Sequence, residues 1–284
     1  MSLNQFYKAI GTSKQAVHIK INNFFKNQDE QMQILKIIYE IRQEHPTMGM
    51  RDLYFKILPK TLGRDAFEEF CKSYNLWSKK PKNYRKTTDS NGVVRFDNLL
   101  QNMNLTNLNQ AWQSDITYYE IDGKFYYITF ILDSFSRRII GHSTSTRLTT
   151  EQTTLPALQM AIKTRNKEYI EGLVFHSDGG GQYYAKTFLE LTSKHKFNNS
   201  MCEYAWENGK AERVNGVIKN NYLIHRNIKN LGELVKEVDR SVSLYNSEKP
   251  HIKLKRKPPI TFEKDLLCLK KQTKPMMKES FDAK

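Results

Sequence analysis

Cysteine is scarce in this chain. Its three residues, Cys71, Cys202 and Cys268, lie far apart and cannot all pair. That excludes a disulfide framework and points to a reducing cytoplasm. No group of Cys and His has the spacing of a zinc site. Long apolar runs are lacking too: the longest, Phe125 to Leu132, falls well short of the ~20 residues that span a bilayer. The opening stretch MSLNQFYKAIG has no apolar signal segment, and no low-complexity block or internal repeat is present. Acid is the minority charge, 30 Asp and Glu against 45 Lys and Arg, for a net +15. An excess of that size attracts polyanions, so nucleic acid is the first candidate partner and no membrane partner is expected.

What is present changes character along the chain. Residues 1–28 read as a helix–turn–helix: a short helix from Asn4 to Ile10, a turn at Gly11 and a second helix capped by Thr12 or Ser13. Ala16, Val17 and Ile21 would pack inward, leaving Lys14, Gln15, His18 and Lys20 for a DNA groove. Residues 29–85 read as a second helical DNA-binding unit. There Ile34, Ile37, Ile38 and Ile41 recur at the helical period until His45-Pro46 stops them. Two more amphipathic helices fit residues 49–58 and 64–76. The stretch SKKPKNYRKTT carries Lys79, Lys80, Lys82, Arg85 and Lys86, a density suited to tracking phosphates. A basic linker over 86–108 follows.

From residue 109 the apolar period shortens to two. Ala111 to Ile121 alternates, setting Asp115 on one face with Gln113, Thr117 and Tyr119. FYYITFIL and RRIIGHSTST complete an antiparallel meander. A helix over 150–165, the buried strand GLVFH ending in Ser177-Asp178, a helix over 184–195, a short strand near 197–202 and a helix from Trp206 to Tyr222 come next. That order is expected of a ribonuclease-H-like α/β core, here over 109–230, with a mixed sheet flanked by helices. A C-terminal helix and basic tail fill 231–284, loosely ordered beyond about 265.

The chemistry centres on the Trp206–Tyr222 helix. Asn208, Glu212, Asn215 and Lys219 share one edge of it, beside an apolar stripe of Ala211, Val214, Ile218 and Tyr222. Alone, that edge is an ordinary solvated face. Set against Asp115 and Asp178 it becomes a set of three hard carboxylates. Such a set suits Mg²⁺ or Mn²⁺, and a pair of those ions can drive displacement at a phosphodiester. Acidic triples are common in a chain of this length, so the pattern is not specific by itself. Asp122 and Asp133 fit turns, Glu207 falls on another side of the helix, and His142 and His176 read as strand-end residues.

Five stretches, NQAWQSDITYY, LDSFSRRIIGH, FHSDGGGQYYAKTF, SMCEYAWENGKAERVNGVIK and YNSEKPHIKLKRKPP, resemble in order the DDE transposases of the bacterial IS-three insertion-sequence family. HPTMGMRDL resembles the family's helix–turn–helix segment ahead of the core. The resemblance implies an integrase-type fold in which Asp115, Asp178 and Glu212 are the catalytic, metal-binding triad, holding two Mg²⁺ or Mn²⁺ ions. Lys219 matches a basic position facing the transposon end, with Asn208, Arg213 and Asn215 beside it as further DNA contacts. It implies water cleaving at the element's terminus and the freed 3′ hydroxyl attacking a second phosphodiester, with no covalent enzyme intermediate. Double-stranded DNA, a homo-oligomer of at least two copies and a partner protein from an upstream reading frame are the partners it brings into view.

This sequence departs from the family's pattern. Only 33 residues separate Asp178 from Glu212, a shorter gap than usual. The usual Asp-Asn before the glutamate is Glu207-Asn208, and Gly179 stands where an Arg is usual. The rival readings are an inactive or repurposed transposase-derived DNA-binding regulator, a nuclease of the same fold, and a basic RNA-binding protein. The last lacks an evident aromatic stacking motif.

Overall fold

The computed structural model describes residues 2–78, 96–165 and 169–272. Lys79, Lys80, Lys82, Arg85 and Lys86, the basic stretch expected to track phosphates, lie outside these. The chain divides into two compact units, Met1–Ser78 and Lys79–Lys284.

In the first unit, α1 (Leu3–Ala9) is followed by a turn in which Gly11 takes φ +65°, the left-handed region that glycine enters without strain. Ser13 caps α2 by accepting from the Ala16 amide at 3.1 Å. The second helix then differs from expectation. It runs unbroken from Lys14 to Glu44, across the division drawn at 28 and 29. The physical reason is plain in the sequence, which has neither Gly nor Pro between Lys14 and Glu44. Ile21, expected inside, is 46% exposed, and so are Phe24 and Phe25 at 57% and 58%. The core forms on the second half of α2, where Ile34, Leu35 and Ile38 meet Leu53 of α3 (Met50–Ile57) and Phe67, Phe70 and Cys71 of α4 (Arg64–Ser73). Ile37, counted in the apolar stripe, points outward, and Leu35 takes its place.

The second unit is built on five strands: β1 (Ala111–Ile121), β2 (Lys124–Asp133), β3 (Ile139–Ser145), β4 (Val174–Ser177) and β5 (Asn198–Met201). Their order is β3-β2-β1-β4-β5. The first three form an antiparallel meander, and β4 and β5 run parallel to β1. This is the ribonuclease-H-like arrangement expected from the sequence. Asp122 and Gly123 both have positive φ, the backbone of a tight two-residue hairpin turn.

Helices cover both faces of the sheet. Trp112, Ile131, Ile140 and Phe175 pack on one side with α5 (Thr154–Thr164) and α6 (Lys186–Lys194). Ile128, Phe130 and Leu132 pack on the other with α7 (Gly209–Asn221) and α8 (Leu231–Ser247). Because side chains alternate along a strand, Asp115 shares the α7 face with its cross-strand partner Phe130.

The chain beyond 230 is part of this unit. Leu234, Val238, Val242 and Tyr245 of α8 complete the core begun by Val214 and Ile218 of α7. Of the segment expected to be loosely ordered beyond 265, residues up to Gln272 belong to α9 (Pro259–Gln272), which starts on a proline, a residue favoured at the first helical position, and the rest lies outside the described residues. Glu263 of α9 is 4% exposed. It accepts from Ser136 Oγ at 2.6 Å, Arg138 Nη1 at 2.7 Å and the buried Arg165 guanidinium at 3.0 Å. Asp133, set aside as a turn residue, does hold its turn, accepting from the amides of Phe135 and Ser136 at 2.9 Å each. It also lies 3.7 Å from Arg165. Among the described residues no helix is long and apolar enough to cross a membrane.

Candidate active site

Asp115 sits midway along β1, and Asp178 is the first residue past β4. The two strands are parallel, paired as Ala111 with Val174, Trp112 with Phe175 and Gln113 with His176. The same register carried two residues on sets Asp178 alongside Asp115, one strand spacing away. Topology therefore brings together two aspartates from distant parts of the chain. The third carboxylate, Glu212, is exposed in the first turn of α7.

A row of hydrogen bonds ties α7 and the turn before it to β1. Asn208 Nδ2 donates to the Ser114 carbonyl at 2.9 Å. Asn215 Nδ2 donates to Asp115 Oδ2 at 2.8 Å. Lys219 Nζ donates to the Tyr118 carbonyl at 2.8 Å and lies 4.6 Å from the centroid of its ring. Three of the four polar residues on this edge thus meet the sheet. This corrects the expectation for Asn208 and Asn215: at 2% and 7% exposure they are internal struts, not DNA contacts. Lys219 is half-buried, with burial lowering its pKa. The α-helix also starts later than expected. Residues Ala205–Asn208 form a 3-10 turn, and Glu207, displaced from the helix, closes that turn by accepting from the Glu203 and Tyr204 amides at 2.7 and 3.1 Å.

Charge is concentrated where the three carboxylates meet. Burial, and then the neighbouring Asp178 and Glu212, push the Asp115 carboxyl from 3.8 up to about 8. Burial also raises Asp178, against a hydrogen bond from the Gly180 amide at 3.2 Å. Cys202, buried nearby, is pushed up to about 12 by desolvation and by Asp178 and Glu207. A site where two neighbouring carboxylates raise Asp115 in this way is short of positive charge, and its donors are hard oxygens. Those are the properties that suit Mg²⁺ or Mn²⁺. The carboxylates are not closed on one point, however: among the described residues no three His, Cys, Asp or Glu side chains are already arranged to hold a metal ion.

Other residues support the site without having stood out in the sequence. Ser114 Oγ donates to the Phe130 carbonyl and lies 2.9 Å from the hydroxyl of fully buried Tyr183, just beyond Asp178. Gln113 Nε2 reaches Asn208 Oδ1 at 3.4 Å, and Ser134 Oγ donates to Gln113 Oε1 at 3.1 Å. The period-two alternation that put Gln113 on the face of Asp115 was the only signal for this chain of contacts. At Gly179, where an Arg is usual in the family, an added Cβ would lie 2.6 Å from Met201 Cε, so the end of that flexible side chain would have to shift.

Comparison with known proteins agrees with the geometry. Residues 106–205 and 195–259 match two family profiles, each described as an integrase core domain. The chain is 28% identical over 244 residues to the insertion element IS600 uncharacterized 31 kDa protein of Shigella sonnei, over 84% of this chain and 88% of the relative. It is 34% identical over 122 residues to transposase InsF for insertion sequence IS3fB of Escherichia coli K12, over 43% of this chain and 40% of the relative. A putative transposase InsK for insertion sequence element IS150 is 27% identical over 185 residues, covering 64% of each chain. This chain carries an integrase core, and the proteins it resembles belong to the insertion sequences IS600, IS3 and IS150. Among solved structures, the magnesium complex of the HTLV-2 integrase catalytic core domain is similar, with 22% identity over 55% of this transposase and 96% of that chain, at a TM-score of 0.44.

The remaining expected DNA contacts of the transposase fall in two places. Arg213 is exposed on α7, next to Glu212. Lys14, Gln15 and His18 are exposed on the first turns of α2, in the other unit.

Proposed function

We propose that Asp115, Asp178 and Glu212 form the reacting centre of a metal-dependent DNA strand transferase that cleaves and joins the ends of its insertion sequence. The observation that carries this reading is the parallel register of β1 and β4, which brings Asp178, just past the end of β4, close enough to Asp115 to raise its carboxyl. The helix of Glu212 is bonded to Asp115 through Asn215. Two Mg²⁺ or Mn²⁺ ions held by the three carboxylates would supply an activated attacking oxygen and a stabilised leaving oxygen. Asn215 fixes the orientation of Asp115 from one side while the Ile116 amide holds its other oxygen at 2.9 Å. Asn208 anchors the start of α7, so the position of Glu212 follows from that of β1. No Ser or Tyr nucleophile is required, because the attacking group is water and then a 3′ hydroxyl of the DNA.

The net charge of +15 supports DNA as the partner, and exposed Lys14, Gln15, His18 and Arg213 are candidate contacts. Synapsis of two ends would require at least two copies. A purified preparation given Mg²⁺ and labelled DNA from the borders of the element should cleave or join 3′ ends. Asp115→Asn, Asp178→Asn and Glu212→Gln should each abolish both reactions while leaving DNA binding intact. Activity that survives in these variants overturns the assignment. Binding without cleavage by the unaltered chain identifies a regulator instead.

A further inference from the structure

Between β5 and α7 lies a short bridge whose ends are fixed at the two aspartates. At its start the Cys202 amide donates to the Ser177 carbonyl at 3.0 Å, one residue before Asp178. At its end Asn208 donates to the Ser114 carbonyl, one residue before Asp115. The bridge carries two aromatic side chains, Tyr204 and Trp206. Their rings are stacked with centroids 4.5 Å apart and planes within 3° of parallel. Both are open to solvent, Tyr204 at 46% and Trp206 at 73% exposure. Tyr204 has extended backbone, and Glu207 fixes the following turn by accepting from the amides of Glu203 and Tyr204. The stack is therefore seated on a hydrogen-bonded turn.

Trp206 stands two residues from Asn208, a reach of at most ~7 Å of backbone. Large exposed aromatics are costly to leave in water, and a stacked pair with one open indole face matches the π-face of a nucleobase. A paired base inside a duplex does not offer that face. An unpaired base at a frayed or single-stranded end can turn either face to such a platform. Arg213, exposed on the following helix, adds a cation to the same segment of chain.

We infer that the Tyr204–Trp206 stack is a platform for an unpaired DNA base, holding the strand end beside the carboxylates of Asp115, Asp178 and Glu212. This rests on the reading of those carboxylates as the reacting centre. It adds a contact that reads the state of the DNA end and not its sequence, since stacking tolerates any base.

Binding can be measured on the full chain in EDTA, where no cleavage occurs. The two probes are a border-sequence duplex ending in a short single-stranded overhang labelled with 2-aminopurine, and the same duplex with a blunt end. The unaltered protein should bind the overhang duplex more tightly and quench its 2-aminopurine fluorescence. Trp206→Ala should weaken overhang binding by about five- to a hundredfold, the scale of one lost base–aromatic stack. It should also abolish the quenching and leave blunt-duplex affinity unchanged. Trp206→Phe should retain most of both signals, which guards against a folding defect. Equal affinity of the unaltered protein for both probes overturns the inference, as does an equal loss on both probes in Trp206→Ala. Asp115→Asn should keep the discrimination between probes. If cleavage proves independent of the carboxylates while this discrimination persists, the reacting-centre reading fails and the stacking surface stands.

Discussion

Asp115 stays protonated in the folded chain up to about pH 8, because burial and the neighbouring Asp178 and Glu212 disfavour its charge. In the unfolded chain the same carboxyl loses its proton near its ordinary value, 3.8. Between those values the folded state binds more protons than the unfolded state, so stability falls as pH rises through the window. We expect the urea midpoint of the metal-free transposase to drop from pH 5 to pH 8, and Asp115→Asn to flatten that drop. A midpoint with the same pH slope in both proteins contradicts this. Asn208 and Asn215 belong to the same scale. A helical wheel places them on the polar edge of α7, but it cannot say whether that edge meets water or a sheet. Their burial became visible only once β1 lay beneath the helix.

Elements were legible to differing degrees, for physical reasons. The meander of β1, β2 and β3 is written locally, in alternating side chains and in an Asp-Gly turn that the structure reproduces with two positive φ values. The continuity of α2 was also written locally, in the absence of Gly and Pro. It was obscured because strong apolar periodicity begins only near Ile34. The helix α9 was hidden by composition, since the Pro- and Lys-rich stretch before it reads as loop. What fixes α9 is long-range: Glu263 meets Arg165 across 98 positions and Ser136 across 127. Removing one member of such a buried set leaves charge without compensation, at a cost of about 3–5 kcal/mol. Glu263→Ala should therefore lower the unfolding free energy by about that much, read by urea denaturation. A loss no larger than that of an exposed ion pair would show that α9 is not held by Glu263.

At the scale of the molecule, a basic chain brings three of its 30 acidic residues near one another. The net charge of +15 suits a DNA partner, while β1, the end of β4 and α7 bring near one another three carboxylates that a cation would make compatible with a phosphodiester. The helical unit, Met1–Ser78, supplies further exposed cations on α2 and a core of its own. The central claim is that the three carboxylates act together as one divalent-metal site. Titration of the full chain with Mn²⁺, followed by the electron paramagnetic resonance of the free ion, tests it most directly. Asn215→Ala, which removes only a supporting hydrogen bond, should weaken Mn²⁺ binding by about 10- to 100-fold. Asp115→Asn, Asp178→Asn and Glu212→Gln should each weaken it further. Mn²⁺ bound equally well by all four variants and the unaltered chain would contradict the account.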